Sequence, residues 1–197
     1  MNDVTAPIRQ VRAAFDDETI TVYQAYSRAI ADPAVESQRF VQPFSLDRMT
    51  WIKPSFLWMM YRSGWATKPG QERVLAVRLT RVGFEEALAG ACLSHFDPQL
   101  YPDNSAWQQR KAETSVRVQW DPERSLTLEP LPWRSLQVGV SGSAIHSYVD
   151  HWVVGIEDMT PFVERLRESG TASLTSVPTE IPYPLPPVVM ATIGATG

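Results

Sequence analysis

Residues 48–65, RMTWIKPSFLWMMYRSGW, constrain the fold of this chain more than any other stretch. Three Trp, three Met, Phe56 and Tyr61 stand there among Arg48, Lys53, Ser55 and Arg62. Burying that much aromatic area dominates local energetics, so the segment is too apolar for a loose loop. It also carries too many cations for a plain core helix, because a buried unpaired charge is costly. The cations therefore require internal carboxylates or an anionic ligand. Pro54 suits the first helical position, where its missing N–H costs nothing. Gly64 suits the left-handed residue that often follows a helix. The pattern predicts an extended run over 49–53 and a short helix over 54–63. Phe56, Met59 and Met60 share one face of that helix; Trp58, Tyr61, Arg62 and Trp65 lie around another.

A chain of 197 residues is long enough for one domain with a sizeable core. Its 44% hydrophobic and 20% charged residues are ordinary for a globular protein. A net charge of −4 supplies no global basic field for nucleic acid, though a local patch remains open. Cys92 is the one cysteine, which excludes an intrachain disulfide and a cysteine-clustered zinc site. The N-terminus lacks a signal-peptide pattern and no apolar run reaches membrane-spanning length, so the expected compartment is the cytoplasm.

Residues 18–26 read as a strand rich in β-branched and aromatic side chains. Ser27 caps a short helix to about residue 30, interrupted near Pro33. Residues 73–81 form an interior strand, apolar on both faces. A helix over 84–93 places Glu85 and Glu86 in its first turn. Further elements are a helix over 105–114 capped by Ser105, a strand over 116–120 stopping at Asp121-Pro122, and a strand over 134–140. A helix over 144–151, a strand over 152–156 and a helix over 160–168 follow. Helices and strands do not alternate strictly and no Gly-rich strand–helix loop is present, which favours α+β over a doubly wound sheet. The expectation is one α+β domain over 8–169, with a central twisted mixed or antiparallel sheet flanked by helices. Residues 170–197, rich in Pro and Thr, are expected to form a non-helical arm that adds little to the core.

The chemistry-bearing candidates are polar residues inside apolar elements. Gln24 sits mid-strand beside Tyr23, as an internal hydrogen-bond bracket or as a ligand reader. Arg12, Arg48, Lys53, Arg62 and Arg134 suit phosphate or carboxylate recognition, or else salt bridges to local acids. Trp51 and Trp58 are next to these cations in sequence, as cation–π partners or as a cover for a ligand ring. Ser55 and Gln137 are the remaining polar candidates. His146 and His151 are five apart, a poor metal spacing, and no metal site is expected. No nucleophile elbow or P-loop occurs. Convergence places the site where the strand of Gln24 meets the segment 49–65 and the strand of Gln137.

The stretches IRQVRAAFDDETITVYQAY, RMTWIKPSFLWMMYRSGW, QWDPER and RSLQVG carry a resemblance to an uncharacterised bacterial and fungal family, the domain of unknown function numbered 4291. The resemblance covers about residues 8–160 and implies no activity by itself. The opening TVYQAYS strand is also similar to the ADP-ribosyltransferases, which bind NAD in a split β structure. That likeness implies an enzyme acting on a nucleotide-like or NAD-like substrate, a transferase, with Gln24, Ser55 and Gln137 as catalytic candidates. In that superfamily the first strand carries His or Arg and a catalytic Glu comes late; here Gln24 stands in the first place. A non-catalytic module for RNA, a nucleotide or a phosphorylated metabolite is the alternative, and a protein-interaction domain engaging through the arm is a third.

Overall fold

The computed structural model describes residues 7–169 and 176–197. In chain order its elements are β1 (Arg12–Ala13), β2 (Thr19–Tyr26), α1 (Arg28–Ser37), β3 (Thr50–Ile52), α2 (Phe56–Ser63), β4 (Arg73–Thr80) and α3 (Arg81–Ala89). Then come β5 (Cys92–Leu93), α4 (Asn104–Glu113), β6 (Val116–Arg124), β7 (Pro130–Val140), α5 (Gly142–Ser147), β8 (Val153–Asp158), α6 (Thr160–Ser169), β9 (Ile181–Pro182) and α7 (Pro187–Ile193). A wide helical turn, Tyr148–Trp152, links α5 to β8. This is a mixed α+β domain with several sheets. Among the described residues no helix is long and apolar enough to cross a membrane.

Two larger sheets build the domain. One is antiparallel, in the order β2-β4-β8; the other is mixed, in the order β3-β7-β6-β5. β4 is its sheet's central strand, which accounts for the burial of Val74, Leu75, Ala76 and Val77 on both faces. The sheets touch through one antiparallel bridge just past β3. The Tyr23 N–H donates to the Lys53 carbonyl at 2.7 Å and the Lys53 N–H to the Tyr23 carbonyl at 3.2 Å. The main core, with Val22, Val77, Phe84, Val138 and Tyr148, lies between the sheets and α3. A second cluster, with Tyr23, Phe56, Met60 and Val163, fills the other face of β2 and β4 beneath α2 and α6.

Several local expectations shift under tertiary forces. Pro33 lies within α1 instead of ending it; the burial of Ala31 and Ala34 outweighs the missing bond. The α3 helix starts earlier than expected because Thr80 caps it, its hydroxyl accepting from the Gly83 N–H at 3.2 Å. Glu85 is thus past the first turn, and it accepts from the Tyr183 hydroxyl at 2.6 Å. Asp103, not Ser105, caps α4. β6 continues through Asp121-Pro122, with its register shifting between Pro122 and Arg124, and a bulge is where a strand tolerates proline.

The largest correction concerns the C-terminal arm. Residues 170–175 of it lie outside the described residues. From 181 onward it is structured and joins the core. β9 pairs with β1, and the Tyr183 ring meets Phe15 and Phe84 edge-on at 5.0 and 5.7 Å. Pro187 occupies the start of α7, where proline is tolerated. Val189 and Ile193 are buried, and the Trp120 indole N–H donates to the Ile193 carbonyl at 2.8 Å.

Candidate functional site

A cleft of about 630 Å³ opens beside the bridge between the two sheets. Alternation along β3 and its extension sends Ile52 into the core and leaves Trp51 and Lys53 at the cleft. Gly139 on β7 allows this. A Cβ there would meet Met49 Sδ at 2.6 Å and Trp51 Cε2 at 3.1 Å, so only glycine lets both side chains lie on the strand. α2 supplies Trp58 and Arg62, four apart and therefore on one face. Its start is set by Ser55, whose hydroxyl accepts from the Trp58 N–H at 3.1 Å, and its end by Gly64 at φ 61°.

Gln119 and Gln137 stand opposite each other on β6 and β7 and also line the cleft. Both amide NH2 groups donate to Asp121, at 2.8 Å from Gln119 and 2.5 Å from Gln137. The Asp121 carboxylate accepts from both, which orients the two amides. Their oxygens have no protein donor among the described residues. Asp121 went unrecognised from sequence because β6 seemed to end at Trp120, and Gln119, though inside the expected strand, was not singled out. The alternation Gln119–Asp121–Glu123 on one strand face was the available signal.

The cations differ in depth. Lys53 is 4% exposed, with Nζ 4.8 Å from the centroid of the Trp58 ring. No carboxylate lies within ion-pair distance of it among the described residues. Burial first, and the Arg62 charge second, push its pKa down to about 7, against an opposing pull from Asp121. Arg48 and Arg62 are exposed at the rim and have no ion pair among the described residues. The Trp58 indole N–H is buried without an acceptor.

Of the sequence candidates, Gln24, Arg48, Trp51, Lys53, Trp58, Arg62 and Gln137 line this cleft. Gln24 does so with its amide fully engaged. Its nitrogen donates to the Tyr26 hydroxyl at 2.7 Å, Thr50 Oγ1 at 2.9 Å and the Trp51 carbonyl at 3.2 Å, and its oxygen accepts from the Tyr148 hydroxyl at 2.6 Å. Gln24 is thus the bracket, with both ends of its amide bonded within the protein. Ser55 does not line the cleft; its hydroxyl donates to Glu123 Oε1 at 2.8 Å. Arg12 bonds Gln10 and the Glu180 carbonyl. Arg134 donates to the Trp120 carbonyl and lines a separate cavity of about 240 Å³ with Arg9 and Asp97. Tyr23 points to the opposite sheet face, against Phe56 and a further cavity of about 470 Å³. Strand alternation alone separates Tyr23 from Gln24 in this way.

Among the described residues no group of three or more His, Cys, Asp or Glu is placed to hold a metal ion. A comparison with curated proteins gives no match. The model of one family, the domain of unknown function DUF4291, matches residues 10–183, a span that contains every wall of the cleft. The chain therefore belongs to the DUF4291 family.

Proposed function

We propose that the cleft binds a phosphate-bearing ligand that carries a flat ring, a nucleotide or an NAD-like molecule. The observation that carries this reading is the convergence of Arg48, Lys53 and Arg62, without carboxylate partners among the described residues, on a cleft walled by Trp51 and Trp58. Arginines at the rim suit phosphate oxygens, and an indole face suits a stacked base or nicotinamide. The Gln119 and Gln137 amide oxygens offer acceptors for ribose hydroxyls or an exocyclic amine.

The finer reading is ADP-ribosyl transfer from NAD, with Gln137 in the place of that chemistry's acidic residue. The feature it draws on is the pair of sheets linked by the Tyr23–Lys53 bridge. Against the catalytic version stands Asp121, whose two oxygens are each taken by a glutamine amide. That engagement favours the second reading, a non-catalytic binder of a nucleotide, a phosphorylated metabolite or single-stranded RNA. Isothermal titration with NAD, AMP and inorganic phosphate tests the common part. Arg62→Ala should weaken binding by about 10-fold or more, roughly 1.4 kcal/mol, with thermal stability unchanged. No binding of any of the three at millimolar concentration would remove the proposal. Mass spectrometry of NAD after incubation separates turnover from simple binding.

A further inference from the structure

We propose that Lys53 is the reacting group of the cleft, its primary amine adding to the aldehyde carbon of an open-chain phosphorylated sugar to form an imine. The inference rests on the reading that the cleft takes a phosphorylated ligand, and names the chemistry at its inner end.

Depth orders the cations. Lys53 is buried against the Trp58 face, whereas Arg48 and Arg62 sit exposed at the rim. A ligand whose phosphate meets the arginines therefore enters with its other end toward Lys53. The amine has no hydrogen-bond acceptor and no counter-ion among the described residues. Asp121, the acid whose charge acts on it, is held by Gln119 and Gln137. A permanently charged ammonium in such a place would be expensive. Burial beside a second cation is the environment that holds a lysine neutral and nucleophilic. The backbone of Lys53 is fixed from both sides by the bridge to Tyr23, so the amine is presented from a rigid strand.

The step balances without an oxidant or reductant. The Nζ lone pair forms the C–N bond while the carbonyl electron pair moves to oxygen, which takes a proton. The carbinolamine then loses its hydroxyl as water when C=N forms, and the two N–H protons of the amine account for the hydrogens of that water. The shared ligand chemistry is a reducing-end aldehyde on a phosphorylated sugar, from a sugar monophosphate or from the terminal ribose of ADP-ribose.

The chain carries only three lysines, Lys53, Lys68 and Lys111, which makes the test direct. Lys68 is exposed and donates to the carbonyls of Tyr61 and Arg62; Lys111 lies over the Trp107 ring. The full chain is incubated at neutral pH with ribose 5-phosphate, ADP-ribose or plain ribose, each with sodium cyanoborohydride, which reduces an imine to a stable amine. Peptide mapping should find the adduct on Lys53 about 10-fold or more faster than on Lys68 and Lys111, since burial in a cleft is what activates a lysine amine toward a carbonyl. Capture of ribose 5-phosphate assigns a monophosphate, and capture of ADP-ribose alone assigns the nucleotide source. Lys53→Arg should abolish the adduct and retain phosphate binding in calorimetry. Lys53 labelled no faster than the other lysines, or labelled equally by plain ribose, would overturn the proposal. Phosphate or AMP binding without capture would sink the imine alone, whereas absence of both would sink the phosphate reading with it.

Discussion

Lys53 is fixed at its backbone and solitary at its side chain, and that contrast has a thermodynamic consequence. Its pKa falls from 10.5 in the unfolded chain to about 7 in the folded one, through burial and then Arg62. Between those values the unfolded state holds the extra proton, so this group makes stability rise with pH from about 7 to 10.5. The slope is on the order of 1.4 kcal/mol per pH unit. Lys53→Met keeps the stem volume and removes the titration. The variant should be more stable than the parent at pH 7, and the gap should close as pH approaches 10. Urea melts of both proteins at several pH values measure this; a constant gap would show that Lys53 stays charged. Gln24 is the opposite case, a polar side chain whose every partner is internal.

At the scale of elements, the N-terminus of α2 is held by two acids from distant parts of the chain. The Phe56 N–H donates to Glu180 Oε1 at 2.6 Å, and the Ser55 hydroxyl, itself the cap, donates to Glu123 Oε1 at 2.8 Å. Burial, reinforced by Glu123 and opposed by the Phe56 N–H and Arg12, raises the Glu180 pKa from 4.5 to about 8. Burial raises that of Glu123 as well. A folded pKa above the unfolded one means stability fully present below 4.5 and lost as pH rises through about 8. This trend runs against that of Lys53 and over a lower window. Glu180→Gln keeps an oxygen for the Phe56 N–H and cannot ionise. Between pH 4.5 and 8 its melting temperature should fall less than the parent's, the difference between the two being the contribution of Glu180. Parallel curves for the two proteins in circular dichroism would refute a protonated Glu180.

At the scale of the molecule, the C-terminal segment closes the fold rather than decorating it. α7 lies beyond the residues matched by the family, yet it buries Val189 and Ile193 and satisfies the indole of Trp120. A chain ending at Leu185 would uncover the faces of α3 and β5 that α7 packs against and leave an orphaned indole N–H. The loss should reach or exceed that of a large core truncation, about 2–5 kcal/mol, read from urea denaturation. A truncated chain as stable as the parent would return α7 to the status of an appendage.

The sequence alone determined what local physics controls. Pro54, Gly64 and periodicity placed a helix over 54–63, which the structure starts two residues later behind the Ser55 cap, and local patterns likewise gave the two long strands β2 and β4 and the mixed α+β class, because those signals act over a few residues. Proximity in sequence also brought Arg48, Trp51, Lys53, Trp58 and Arg62 forward together, and all of them line one cleft. Long-range contacts decided the remainder. Gln24 meets Tyr148 across 124 positions, so its role as a bracket depended on a partner no local pattern names. Ser55 and Arg12 stood as site candidates until Glu123 and Glu180 reached them from afar. Asp121 became the anchor of the cleft's two glutamines only when β6 ran on through its bulge and aligned with β7. The proline-rich terminus read as an arm because proline disfavours secondary structure locally, whereas burial against Trp120 and β1, visible only in three dimensions, outweighs that preference.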